Sequence, residues 1–206
     1  MKKLIVDGYG QLELNQVAWP RDGRIEAQCA LSPADFNTGE ANDVKPFCEN
    51  GMILVVDNVT RTIRLPKADD ENAIYAINYS SEHLYDERAQ GLKNFKLHAQ
   101  PEKAVSTGVG RVGRIWSGYD FFPRLGYMST GDKFTTNTVD LGDTLTYETV
   151  KAGLAEGTKY FAGASESGYI TLDISAVIEN GPVLQVVKAT TMPDGQPAFK
   201  FQVVKA

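Results

Sequence analysis

Residues 183–189 (VLQVVKA) and residues 198–204 (AFKFQVV) flank the turn sequence of residues 192–195 (MPDG) near the end of the chain. Both runs are rich in β-branched and aromatic residues, which favour strands. In the turn, proline presets φ, aspartate can hydrogen-bond back to the chain and glycine tolerates a positive φ. The stretch therefore predicts a β-hairpin that closes the fold.

Further strand predictions extend backwards from this hairpin through the C-terminal third of the chain. They cover residues 133–139, 144–150, 159–163 and 169–174. Turn sequences that contain glycine separate most of them. Regular short strands with such turns are typical of a small antiparallel β-barrel or sandwich.

One short pattern, Gly-Asp-x-apolar-Thr, occurs twice and begins at Gly131 and at Gly142. In each copy a turn is predicted to lead directly into a strand. The two copies are too short and too few for a solenoid repeat, so they predict a meander of strands.

In the region before residue 131, the sequence predicts further strands that are connected by long loops. The predicted strands are residues 25–31, 52–56, 59–65 and 73–79. Asp57 and Asn58 predict a tight hairpin between the second and third of these strands. Helix signals are few, with one short helix predicted at residues 81–90 and a single turn at residues 32–35.

The sequence thus predicts a mainly β protein with at most one or two short helices. Residues 1–130 are predicted to form an irregular β-rich N-terminal region with long loops. Residues 131–206 are predicted to form the small antiparallel β-barrel or sandwich.

Composition places the chain among ordinary globular proteins. Of its 206 residues, 42% are hydrophobic and 23% are charged, which predicts a folded core. The formal net charge of −5 argues against a general nucleic-acid binder, because phosphate contacts need a basic excess. The first apolar run ends at Asp7, too early for an export signal, and no stretch is long enough to span a membrane. We expect a protein made and kept in the cytoplasm, with no membrane partner.

The two cysteines, Cys29 and Cys48, do not form a close C-x-x-C pair. Two small, buried, reduced side chains are the simplest interpretation. A disulfide between them is the alternative, although a reducing compartment disfavours it.

No motif in the sequence carries recognisable catalytic chemistry. The chain contains neither a G-x-x-x-x-G-K-[ST] phosphate loop nor a G-x-S-x-G nucleophile elbow. The G-x-G-x-x-G spacing at residues 108–113 follows no buried strand and opens no helix, so it predicts a glycine-rich loop. We predict no catalytic residue and no cofactor.

The two histidines, His83 and His98, offer one conceivable metal pair. His83 and Glu87 would share a helix face at i, i+4 spacing, which a metal ion could use. A solvated helix surface explains the same pattern, because no second cluster supplies further ligands. His98 lies in a predicted strand and is expected to face solvent or a neighbouring subunit. We therefore predict no metal site.

Residues 111–127 (RVGRIWSGYDFFPRLGY) concentrate arginine and aromatic side chains. These residue types are enriched at the energetic centres of protein interfaces. They can also bind nucleic acid by stacking and phosphate contact, and a segment that lines the core is a third interpretation. The predicted interface residues are Arg111, Arg114, Trp116, Tyr119, Phe121, Phe122, Arg124 and Tyr127. The long, weakly patterned stretch of residues 37–49 predicts a further contact with a partner.

Residues 131–206 have a characteristic pattern of turns and strands. It consists of the turns at Gly131-Asp132 and Gly142-Asp143 that are predicted to lead into strands, the other glycine-rich turns and the closing hairpin. In these features the chain resembles capsid decoration (cement) proteins of tailed bacteriophages. The resemblance implies a non-enzymatic virion structural protein, made in the host cytoplasm, that binds the major capsid protein and stabilises the capsid lattice. It also implies a homo-oligomer, often a trimer, while a tail, connector or minor head role stays open.

Two other functions are consistent with the sequence. A binding module for carbohydrate or another surface ligand could stack sugar rings on exposed Trp19, Trp116 and several tyrosines. A hydrolase could use a pair of the many carboxylates, although no pair is marked by its sequence context.

Overall fold

The computed structural model of the chain contains two β-sheets, of seven and six strands, and a separate pair of strands. It describes residues 2–5, 10–38, 43–80, 96–98, 115–117 and 123–206. Within these residues there are two α-helices and one 3₁₀ turn. The prediction of a mainly β fold with few helices is confirmed.

In chain order the elements are β1 (Leu12–Gln16), α1 (Trp19–Asp22), β2 (Ile25–Glu26), β3 (Ala30–Leu31), β4 (Ile53–Asp57), β5 (Thr62–Arg64), β6 (Ile74–Asn78), β7 (Lys96–His98), β8 (Ile115–Ser117), β9 (Leu125–Gly126), β10 (Lys133–Thr136), β11 (Val139–Asp140), α2 (Tyr147–Ala155), β12 (Phe161–Ala164), β13 (Ile170–Thr171), the 3₁₀ turn Ile174–Ala176, β14 (Val183–Thr191) and β15 (Pro197–Lys205).

The seven-stranded sheet curls round and closes on itself, apart from its edge strand β1. Its order is β1-β10-β15-β14-β12-β13-β11, so β10 and β11 lie near opposite ends. Only Asn137 and Thr138 separate these two strands in the chain, and a chain spans at most about 3.6 Å per residue. β10 and β11 are therefore one bent strand that closes a barrel-like ring, which we call the second ring. This confirms the barrel or sandwich predicted for the C-terminal third.

The six-stranded sheet closes in the same way. Its order is β2-β9-β6-β4-β5-β3, and residues 27–29 alone separate β2 from β3. The segment from β2 to β3 is again one bent strand that pairs at both ends of the sheet. We call this sheet the first ring.

Both rings have the same connectivity. When the five strands of each are numbered in chain order, with the bent strand first, each ring runs 1-5-4-2-3 and back to 1. Strands 1 and 3 pair in parallel in both rings, through β3 with β5 and β11 with β13. Every other pair is antiparallel. The chain therefore contains the same five-stranded unit twice.

The registers of the two rings also agree residue by residue. Ile53 pairs with Ile77 in the first ring, and Phe161 pairs with Gln185 in the second, a shift of 108 for both partners (53 to 161 and 77 to 185). A random likeness in strand order would not reproduce the pairing register, because register is set by side-chain pattern and loop length.

Left-handed backbone positions recur at equivalent places. Gly23 and Gly131 have φ of 69° and 96°, and each lies two residues before the bent strand of its ring. Arg61 and Gly168 have φ of 58° and 79°, and each ends the turn before strand 3. A non-glycine residue at positive φ is uncommon, so Arg61 indicates that the turn geometry is imposed by the fold.

The interiors of the rings contain residues of different sizes at equivalent positions. The buried pairs, first ring then second, are Leu31 and Val139, Leu54 and Ala162, Val56 and Ala164, Ile63 and Ile170, Ala76 and Leu184, and Leu125 and Phe201. Five of these six pairs differ in size, with the larger residue in the first ring in three pairs and in the second ring in two, and total volume matters more than identity in a core. This exchange explains why the repeat leaves little trace in the sequence.

The rings differ most in the connection between strands 4 and 5. In the second ring this connection is the turn of residues 192–196, between β14 and β15. In the first ring residues 79–124 take its place and include β7 and β8, which pair in parallel. The first ring thus carries a long insertion at the position of a short hairpin turn.

The strand predicted at residues 144–150 is wrong, because α2 occupies Tyr147–Ala155. Thr146 caps the helix by accepting a hydrogen bond from the Thr149 amide at 3.1 Å. Tyr147, Val150 and Leu154 recur at helical spacing and pack against the core of the second ring. The Gly-Asp pattern at Gly142 therefore leads into a helix, unlike its copy at Gly131.

Other predictions in the first ring need adjustment. The strand predicted at residues 25–31 divides into β2 and β3, which pair with different neighbours. The tight turn predicted at Asp57 and Asn58 is longer, with residues 58–61 between β4 and β5.

Several smaller predictions have clear outcomes. The single turn at residues 32–35 is confirmed, since the Phe36 amide donates to the Ser32 carbonyl at 3.0 Å. His98 lies in strand β7, as predicted. The helix predicted at residues 81–90 and the glycine-rich loop at residues 108–113 fall outside the described residues. The division of the chain at residue 130 stays a prediction.

Candidate interaction face of the second ring

The register of the second ring places one residue from each strand in a row across its outer surface. Lys133 pairs with Gln202, Gln202 with Gln185, and Gln185 with Phe161. Gln16 of β1 extends the row beyond Lys133. The side chains of this row point outward, because the residues before and after Gln202 on β15, Phe201 and Val203, are buried in the core. Phe161 at its end is 45% exposed.

Lysines lie in this row and beside it. Lys200 lies directly opposite Lys188, between the buried Phe199 and Phe201 of its own strand. Strands β10, β12, β14 and β15 contain four lysines and no carboxylate, and the nearest carboxylate in the row of Lys188 and Lys200 is Glu13 on the edge strand β1, beyond Thr135. Like charges placed directly opposite each other across a strand pair destabilise a sheet by about 0.2–1 kcal/mol. The pair therefore costs stability and needs another explanation.

None of the ion pairs found among the described residues includes these lysines. We call the surface the lysine face and define it by six residues. They are Lys133, Phe161, Gln185, Lys188, Lys200 and Gln202.

Apolar side chains are exposed beside the lysine face. The ladder between β14 and β15 shifts register between Val186 and Lys188, which leaves Val187 unpaired at a bulge and 43% exposed. Val204 on β15 is 42% exposed. Exposed apolar groups rimmed by polar and charged ones are typical of interaction surfaces.

The equivalent face of the first ring is covered. Its row consists of Ile25, Gly126, Ile77 and Ile53, and the last two are fully buried. The indole of Trp19 lies directly on Gly126, since a Cβ added there would approach the indole to 2.4 Å. The fold therefore buries this face in the first ring, whereas in the second ring Phe161 and Lys188 are exposed and the other residues of the face are half-buried.

The two rings are fixed to each other by backbone and side-chain hydrogen bonds. The Ile53 amide donates to the Gly168 carbonyl at 2.8 Å. The Thr138 hydroxyl donates to the Asn50 carbonyl at 2.5 Å. Tyr169, which belongs to the second ring in sequence, is buried in the core of the first. The lysine face is thus presented on a pair of rings that hydrogen bonds and shared packing join.

A cluster of titratable groups lies at this junction. The Tyr169 hydroxyl accepts a hydrogen bond from Lys3 Nζ at 2.9 Å and lies beside the Glu49 carboxylate, which accepts from the Gly10 amide at 2.5 Å. Burial, together with the Glu49 charge, raises the pKa of Tyr169. The hydroxyl keeps its proton at neutral pH. Through the hydrogen bonds of Lys3 and Gly10, this cluster holds residues near the N-terminus against the junction, and we call it the clamp at Tyr169.

The structure describes only part of the arginine-rich segment predicted as an interface. Arg111, Arg114, Tyr119, Phe121 and Phe122 lie outside the described residues. Trp116 lies on β8. The interface prediction for this segment stays a prediction.

Arg124 and Tyr127, the last two residues of the predicted interface, flank β9 on either side. Arg124 is exposed, while Tyr127 is half-buried and packs against the core of the first ring. Burial raises the pKa of Tyr127, in agreement with a core-lining position for this side chain.

Trp19 is fully buried, so its predicted role as an exposed sugar platform is wrong. Its burial depends on Gly126, which is distant in sequence and leaves space for the ring. The carbohydrate alternative thereby loses one of its two proposed tryptophans.

Both cysteines are buried and free, as the simplest interpretation of the sequence predicted. Burial raises the pKa of Cys29 and of Cys48, and the thiolate is the reactive form. We expect neither thiol of the native protein to react with Ellman's reagent, and both to react once the chain is unfolded in urea. Failure of both to react in urea under non-reducing conditions would reveal a disulfide and contradict this assignment.

Within the described ranges, no group of three or more His, Cys, Asp or Glu residues is placed to hold a metal ion. None of the helices in that part of the chain has the length and apolar character that a membrane span requires. A scan against protein-family models and searches of curated proteins and of solved structures found no match to the chain.

Sequence reasoning missed the lysine face, although a signal for it exists. Lys200 and Gln202 alternate with Phe199, Phe201 and Val203 along β15, which marks one apolar and one polar face. The opposition of Lys188 and Lys200 was hidden, because the bulge at residue 187 changes which residues of β14 face outward.

Proposed function

We propose that this protein is a non-enzymatic structural protein of a tailed-phage virion that binds the major capsid protein and stabilises the capsid lattice. The observation that carries the proposal is the lysine face: an open sheet surface with exposed apolar side chains, whose equivalent in the first ring is buried. The resemblance of the C-terminal third to capsid decoration proteins supplies the virion context.

The rigid connection between the rings supports a structural role. Hydrogen bonds from Ile53 and Thr138 and the clamp at Tyr169 hold the two units in one arrangement. A binder with fixed geometry loses less entropy on docking than a flexible one does. Such a protein suits a surface where identical subunits repeat at fixed spacing.

Purified virions provide the test of this function. We expect mass spectrometry of gradient-purified particles, from the phage or prophage that encodes the chain, to find it in many copies per particle. Chain added back to particles stripped of it should rebind to a saturating copy number and raise the temperature at which the capsid disrupts. A chain encoded outside any phage or prophage, or missing from purified particles, would contradict the proposal.

A further inference from the structure

We propose that the lysine face binds an acidic segment of a partner protein, and that this segment places an apolar side chain against Phe161. The inference rests on the proposed function, because it specifies the partner chemistry of the same surface. Three observations support it: the covered face of the first ring, the charge of the second, and the pattern of exposed aromatic residues.

The first ring shows how the fold fills this face. There the indole of Trp19 packs on Gly126, in the same buried cluster as Ile53 and Ile77. At the equivalent positions of the second ring are Gln202, Phe161 and Gln185, where Phe161 is 45% exposed. A partner segment that presents one large apolar side chain therefore suits this face, as Trp19 at the start of α1 does in the first ring.

The charge of the face selects the chemistry of the partner. Lys188 and Lys200 oppose each other without an acidic partner among the described residues, and Lys133 lies beside them on β10. Carboxylates placed between the two lysines would convert the repulsion of that pair into two attractive contacts.

An acidic protein segment fits better than a nucleic acid. Nucleic-acid binders usually carry a basic excess, because phosphate contacts supply most of their non-specific affinity, whereas this chain carries a net charge of −5. Single-stranded nucleic acid also needs several exposed aromatic rings for successive bases. In strands β10, β12, β14 and β15, Phe161 is the one exposed aromatic side chain, since Phe134, Phe199 and Phe201 are fully buried.

The test uses a copolymer of glutamate and tyrosine as the probe and the full-length, ¹⁵N-labelled protein. Titration followed by NMR reports which amides shift, and isothermal calorimetry gives the affinity. The variants are Lys188→Glu, Lys200→Glu and Phe161→Ala. The matched charge control is Lys151→Glu on α2, an exposed lysine that lies 3.6 Å from Glu148.

We expect the copolymer to shift amides of the lysine face and to bind more weakly as salt is raised. Each lysine reversal should weaken binding by about fivefold or more, because it replaces an attraction by a repulsion. Lys151→Glu should bind as the wild type does. Circular dichroism spectra identical to the wild type would show that the variants are folded.

Three results would overturn the inference. They are shifts confined to other surfaces, equal weakening by Lys151→Glu and Lys188→Glu, and tighter binding of an oligothymidylate than of the copolymer. The last result would assign the face to nucleic acid.

The inference and the proposed function fail separately. If the protein is found in virions but its lysine face does not bind the copolymer, the proposed function stands and the acidic partner is refuted. If the protein is missing from virions but its lysine face binds the copolymer, the capsid role is refuted and the acidic partner stands.

Discussion

Replacement of Phe201 by alanine is expected to lower the free energy of unfolding by about 3–5 kcal/mol, the usual cost of a fully buried phenylalanine. Phe201 is completely buried in the second ring, with its ring centroid 5.8 Å from Phe134 and 6.3 Å from Phe199. Removal of the side chain leaves a cavity among rigid aromatic neighbours that cannot collapse to fill it. Urea denaturation followed by tryptophan fluorescence measures the loss.

Phe161 provides the matched control for this substitution. It is the same residue type on a neighbouring part of the same sheet, but it is 45% exposed. Its replacement by alanine should change the free energy of unfolding by about 0.5 kcal/mol or less. Comparable losses from both variants would mean that the interior and the exterior of the second ring have been assigned to the wrong residues.

Gly51→Ala is the second substitution with a large expected effect. Gly51 has φ of 86°, and an added Cβ would lie 2.3 Å from the Thr136 hydroxyl oxygen and 2.8 Å from that of Thr138. Neither hydroxyl can move aside freely, because each donates a hydrogen bond to a backbone carbonyl. Steric overlap should add about 1–3 kcal/mol to the left-handed strain of about 1–2 kcal/mol.

Gly195→Ala separates these two contributions. Gly195 has φ of 88°, almost the same as Gly51, and nothing lies within 4 Å of its added Cβ. Its replacement should cost the left-handed strain alone. A smaller loss at Gly51 than at Gly195, measured by thermal denaturation, would argue against the tight junction between the two rings.

The closing hairpin was predictable because its signals are local. The turn around Asp194 and Gly195 and the β-rich runs on both sides agree with each other, and no distant contact overrides them. The structure extends both strands to nine residues, β14 and β15, without changing the pattern.

Features that depend on distant contacts were not predictable. Residues 144–150 contain β-branched and aromatic residues that favour a strand, yet the Thr146 cap and docking of Tyr147 onto the second ring produce a helix. The burial of Trp19 requires Gly126. Local propensity gives no information about either contact.

The repeat was hidden for a different physical reason. Equivalent core positions, such as Ala76 and Leu184, differ in size, and the outer row changes from Ile53 and Ile77 to Phe161 and Gln185. Strand pairing is governed by backbone geometry and by the inward or outward pattern, so the topology persists while the residues change. Only the registers, once known, reveal the equivalence.

The unequal hairpins of the two rings have a practical consequence for protein engineering. One ring of this topology accommodates residues 79–124 between its fourth and fifth strands, where the other has only residues 192–196. The turn at Gly195 is exposed and has open space around it. It is therefore a natural point at which to graft an epitope, a fluorescent reporter or an affinity tag, with the remainder of the chain serving as a ready-made display scaffold.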